Sequence, residues 1–164
     1  IERLEREGKT SIFWCGHGGY ALVPVLASVG FRVTVYDDRA ALAKPERYPG
    51  ADEVICGSFA DISARVHLTA DDYVVVMTPG HQADYEILTQ VLRSEATYIG
   101  CIGSRTKVAK TRERLKCDGY TEEDIARVHA PIGLPILAET PEEIAISIAA
   151  EMIEHRARLA GQRH

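Results

Sequence analysis

Apolar residues along this chain come in two rhythms. Short unbroken runs alternate with longer stretches in which they recur every three or four positions, and these rhythms predict strands and helices respectively. The runs at 11–15 (SIFWC), 31–36 (FRVTVY), 51–56 (ADEVIC), 72–78 (DYVVVMT), 97–103 (TYIGCIG) and 126–131 (ARVHAP) read as strands. The fourth lacks polar alternation, as expected of a strand buried on both faces. Helical spacing fills 19–29, 61–67, 81–94, 105–117 and 121–126. The clearest helix comes last: Thr140 caps it, Pro141 suits its first turn, Glu142 and Glu143 favour its positive end, and apolar residues recur to about residue 159. The alternation predicts a parallel sheet covered by helices on both faces.

A length of 164 residues with 46% hydrophobic content fits one sizeable core. Residues 1–10 (IERLEREGKT) read as a linker or the end of a preceding segment, and 11–164 as a single domain. The formal charge of -5 is spread along the chain without a basic block, which argues against nucleic acid as a partner. No apolar stretch approaches the roughly 20 residues that span a bilayer, so a soluble, cytoplasmic protein without membrane contact is expected. Cys15, Cys56, Cys101 and Cys117 are far apart and form no C-x-x-C pair, which predicts reduced thiols rather than a local zinc or redox site.

The candidate chemistry lies where strands give way to helices. Gly16, His17, Gly18, Gly19, Tyr20 and Ala21 match G-x-G-x-x-A after the first strand, and Asp37 ends the second strand about twenty residues later. Gly16 permits the tight turn, Gly18 lets backbone approach a phosphate, Ala21 allows close packing, and the helix amino terminus offers free N–H groups. Asp37, with Asp38 and Arg39 beside it, stands where a ribose hydroxyl is held in such folds. The expected fold class is therefore α/β: three-layer and Rossmann-like, with a doubly wound, mostly parallel sheet of about six strands. Three further segments fall at carboxyl ends of strands, the edge where such sheets bind ligands: Thr78 to Asp84 with Gly80 and His81, Gly103 with Ser104, Arg105 and Lys107, and His129 to Leu134. The second joins a hydroxyl and two cations at a helix start, a good anion site. A plain structural role, as caps or solvated side chains, stays open for each.

These residues resemble the carboxyl-terminal Rossmann domain of the XdhC/CoxI family, accessory factors of molybdenum hydroxylases such as xanthine dehydrogenase. The resemblance rests on the G-x-G-x-x-A turn, VTVYDDR (33–39), PGHQAD, YIGCIGSRTK, HAPIGL and TPEEIAISIAAEMI, in order from Ile12 to about Arg158. It implies a non-catalytic chaperone that binds molybdenum cofactor, protects it and passes it to an apo-hydroxylase. It implies a molybdenum hydroxylase as partner, with a cysteine desulfurase as a further possibility. Independently of the resemblance, the apolar face of the last helix suits a homodimer or the core equally well. Relatives usually carry an amino-terminal domain as well. On this reading the 16–21 turn with Ser104, Arg105 and Lys107 cradles the cofactor's phosphate, and Cys15 or Cys101 could bring a thiolate to the metal. The residues leave two alternatives open. One is an NAD(P)-dependent oxidoreductase using His81 or His129 for proton transfer; the other is a nucleotide-sensing module.

Overall fold

The computed structural model describes residues 9–14 and 16–162. Six parallel strands, β1 (Lys9–Phe13), β2 (Arg32–Asp37), β3 (Glu53–Cys56), β4 (Tyr73–Val76), β5 (Tyr98–Cys101) and β6 (Val128–His129), form one sheet in the order β3-β2-β1-β4-β5-β6. Among the described residues the α-helices are α1 (His17–Ser28), α2 (His81–Val91), α3 (Arg105–Cys117), α4 (Glu122–Ala126) and α5 (Pro141–Gln162). The order reverses between β1 and β4, the switch point at which doubly wound sheets open a crevice at their carboxyl ends. The three-layer Rossmann-like arrangement is the expected one.

Alternation along the strands divides the core. Val74 and Val76 of β4 join Phe13, Tyr36, Ile87, Leu88 and Leu115 beneath α2 and α3. Tyr73 and Val75 face the other way and join Ile12, Val33, Leu22 and Leu26 of α1 with Ile148 and Met152 of α5. The period of two in each strand thus builds both layers at once. The apolar face of α5 that could have served a homodimer is buried here, with Ala145, Ile148, Ala149 and Met152 almost wholly enclosed.

Element boundaries shift by a few residues from the sequence reading, and two departures stand out. Strand β1 opens at Lys9, because the Lys9 amide donates to Asp72 Oδ1 at 3.0 Å and Thr10 pairs with Tyr73. Residues 1–8 lie outside the described residues. The helix expected at 61–67 is a single 3-10 turn, Ile62–Ala64. Gln90 of α2 ties this turn to its neighbour: it accepts from the Ile62 amide at 2.8 Å and donates to the Phe59 carbonyl at 2.6 Å. The terminal helix starts as expected: Thr140 accepts from the Glu143 amide at 3.1 Å, and the Glu143 carboxylate accepts from the Thr140 amide at 3.2 Å.

Candidate functional site

The turn after β1 is shaped by Trp14. This residue holds φ at 116°, a region that side chains other than glycine rarely adopt, while its amide donates to the Tyr36 carbonyl at 2.8 Å. A Cβ on Gly16 would stand 2.6 Å from the Trp14 indole nitrogen, and one on Gly19 would stand 2.8 Å from the Trp14 carbonyl oxygen. Close helix-to-strand approach therefore depends on Gly19, and Ala21, half-buried, packs against the same layer. A Cβ on Gly18 would meet only the Met77 methyl, 2.7 Å away at the flexible end of a side chain. Met77, just past β4, therefore stands close to the turn after β1 across the switch point. Gly16 is the N-cap of α1, and His17, its first residue, is exposed. Cys15 lies outside the described residues.

Asp37 ends β2 fully buried, and its carboxylate is already engaged. The Arg39 guanidinium donates from Nε to Oδ1 at 3.0 Å and from Nη2 to Oδ2 at 2.7 Å, and the Arg39 amide donates to Oδ1 at 2.9 Å. The same guanidinium lies over the Trp14 ring, 3.5 Å from its centroid. Asp38 is exposed, yet burial of its carboxyl and a hydrogen bond with Asp37 raise its pKa above the ordinary value.

Beyond β4, Gly80 caps α2 and His81 opens it. Around Gly80 there is open space, since an added Cβ would meet nothing within 4 Å. Asp84, one turn into α2, is buried and fixes the turn by accepting from the Thr78 hydroxyl at 2.5 Å and the Thr78 amide at 3.1 Å. Burial pushes its carboxyl up to about 6 against these bonds and the pull of Lys107. Asp84 falls inside a segment the sequence singled out, and an acid in the first turn of a helix, six residues after a threonine that follows the strand, is the available signal for its anchoring role. Asp84, Cys101 and Lys107 line a narrow apolar cavity with Leu88, Val108 and Leu115.

Beyond β5, Gly103 leads into α3, where Ser104 caps by accepting from the Lys107 amide at 3.2 Å. Its hydroxyl therefore has the capping role that sequence alone left open. Arg105 is exposed and Lys107 half-buried. The Cys101 thiol is pushed up to about 12, chiefly by burial and then by Asp84, and donates weakly to the Ile102 carbonyl. As the structure stands it is a neutral thiol at physiological pH.

The segment 129–134 leaves β6 at the same carboxyl edge, where the Ile132 amide donates to the Cys101 carbonyl at 3.1 Å, and runs from there onto α5. His129 stacks on Tyr98 at 4.6 Å, with its Nδ1 3.7 Å from Glu151, while the Gly133 amide donates to Glu151 and Ser147 donates to the Leu134 carbonyl. It is a strap clipped to α5. The 16–21 turn, the Gly80 cap and the 103–107 turn thus share the carboxyl edge with the start of the strap, whose later part is clipped to α5. Among the described residues no group of three or more His, Cys, Asp or Glu side chains could hold a metal ion, and no helix is long and apolar enough to cross a membrane.

Comparison with known proteins is consistent with this geometry. A family model for the XdhC Rossmann domain matches residues 11–152. The "Uncharacterized protein YqeB" of Escherichia coli (strain K12) is 34% identical over 85% of this chain and 26% of its own length. A protein of Bacillus subtilis (strain 168), named as a probable xanthine dehydrogenase subunit, is 32% identical over 98% of this chain and 46% of its own. A crystal structure described as a xanthine dehydrogenase from Bacillus halodurans superposes with a TM-score of 0.81 at 35% identity, over 93% of this chain and 43% of that one. The chain therefore spans less than half the length of each of these relatives. With the family match covering most of its length, it belongs to the XdhC family as an XdhC Rossmann domain.

Proposed function

We propose that this domain serves a xanthine dehydrogenase-type molybdenum hydroxylase as an accessory factor, binding molybdenum cofactor and assisting its insertion. Membership in the XdhC family carries the reading, since the Bacillus subtilis relative bears a xanthine dehydrogenase name. The site's chemistry fits the anionic end of such a ligand. The amino ends of α1, α2 and α3 open at the same edge, space lies open at Gly80, and Arg105 and Lys107 add positive charge. When bound, the cofactor supplies the molybdenum that reacts in the hydroxylase; the domain's own residues hold the phosphate and orient the ligand. The oxidoreductase and nucleotide-sensing alternatives draw on the glycine fingerprint, but Asp37, the residue they need for ribose, is engaged by Arg39. The test is a transfer assay: the full-length protein, loaded with molybdenum cofactor under anaerobic conditions, is mixed with cofactor-free hydroxylase. Activity rising above that obtained with free cofactor supports the reading, and equal activity contradicts it.

A further inference from the structure

We infer that Arg39 is a specificity-determining residue that fills the ribose subsite of the fold, so that the 16–21 turn takes a ligand ending in a terminal phosphate and turns away one extended by a nucleotide. The inference rests on the cofactor reading above and narrows its ligand. A Rossmann fold that binds a dinucleotide presents a carboxylate at the end of its second strand to two neutral ribose hydroxyls. Here that carboxylate, Asp37, has no exposed surface, and both of its oxygens accept hydrogen bonds from the Arg39 guanidinium. A diol entering there would replace a charge-assisted bidentate pair with neutral hydrogen bonds and leave a buried carboxylate without the guanidinium that neutralises it.

Trp14 fixes Arg39 from its other side. The guanidinium stacks on the indole at 3.5 Å, and the indole is wedged against the glycine turn, where Gly16 leaves room for it. Arg39 is therefore held by an ion pair and a stacking contact together, and its own backbone amide binds the same carboxylate. The phosphate-binding part of the turn is separate from this lock. With Arg39 in place, no side chain among the described residues caps the amino end of α1, and an added Cβ on Gly80 would meet nothing within 4 Å.

Trp14 is the single tryptophan of the chain, so its fluorescence reports on the lock directly. The experiment titrates the wild type and Arg39→Ala with three probes: molybdenum cofactor lacking a nucleotide, the nucleotide-extended form, and NAD. Trp14 quenching and equilibrium dialysis are the readouts. The expected wild type prefers the unextended cofactor by at least about tenfold, and Arg39→Ala brings the extended form and NAD to within about threefold of it. Equal wild-type affinity for both cofactor forms overturns the lock while leaving the cofactor reading intact. Failure of either form to bind, with NAD excluded from the wild type and admitted by the variant, overturns the cofactor reading and supports the lock. Loss of NAD binding, or no change in it, on substitution overturns the lock. Should Arg39→Ala not fold, as judged by circular dichroism, Arg39→Gln keeps a neutral donor for Asp37 and carries the same expectations.

Discussion

Thr78 gives both its hydroxyl and its amide to a single oxygen of Asp84, at 2.5 and 3.1 Å, and so joins the end of β4 to the first turn of α2. The carboxyl that makes this joint is buried, and burial raises it from 3.8 to about 6. A carboxyl raised on folding is penalised once it ionises. Its contribution to stability is therefore most favourable below about pH 4, falls as pH rises toward 6, and is level above that. The cost at neutral pH is about 3 kcal/mol. Asp84→Asn keeps the accepting oxygen and removes the charge, so urea unfolding between pH 4 and 7 should lose this slope and show a gain of about 1–3 kcal/mol near pH 7. An unchanged slope would show that Asp84 titrates as it does in the unfolded chain.

The glycines of the 16–21 turn should separate by what they face. Gly19→Ala drives a Cβ toward the Trp14 carbonyl, part of the backbone, and should lower stability by about 1–3 kcal/mol. Gly18→Ala meets only the movable end of Met77 and should unfold within about 0.5 kcal/mol of the wild type. Thermal melts of the two variants side by side check the order; the reverse order would mean that the helix approaches the strand elsewhere.

Ser104 and Arg105 are neighbours with different jobs. Ser104→Ala removes the cap of α3 and should lower stability by about 1 kcal/mol with little effect on ligand affinity. Arg105→Ala should leave the melting temperature unchanged and weaken cofactor binding by about 1.5–3 kcal/mol, the range for a hydrogen bond to a charged group. An Arg105 variant that melts early yet binds normally would make Arg105 structural.

Thr10 and Ser11 bury hydroxyls on β1 that have no hydrogen-bond partner among the described residues. Thr10→Val keeps the shape and removes the unsatisfied hydroxyl, so it should stabilise the domain by about 1 kcal/mol in denaturant unfolding. Destabilisation by a similar amount would reveal a partner for that hydroxyl.

Much of the fold was legible because its signals are local. The buried run at 73–76 and the Thr140 cap each depend on a few neighbouring residues, and the structure keeps both. The 61–67 segment has apolar spacing that fits a helix, yet the structure keeps only the Ile62–Ala64 turn, anchored by Gln90, which is distant in sequence. The same limit applies to the site. Spacing located Asp37 and Arg39, but that Arg39 closes on Asp37 depends on a turn geometry and on Trp14, which a motif does not encode. The strap at 129–134 carries a histidine and a glycine suggestive of a site. Gly133 is needed instead for a φ of 99° and for the space taken by Ser147, whose Oγ an added Cβ would overlap.

The most direct test of the account is an anaerobic titration of this chain with molybdenum cofactor, followed by Trp14 fluorescence, alongside Gly18→Val. Saturable binding that the substitution abolishes while circular dichroism stays unchanged is the predicted result, with the cofactor's phosphate on the 16–21 turn. Equal binding by the two proteins, or none by the wild type, would contradict it.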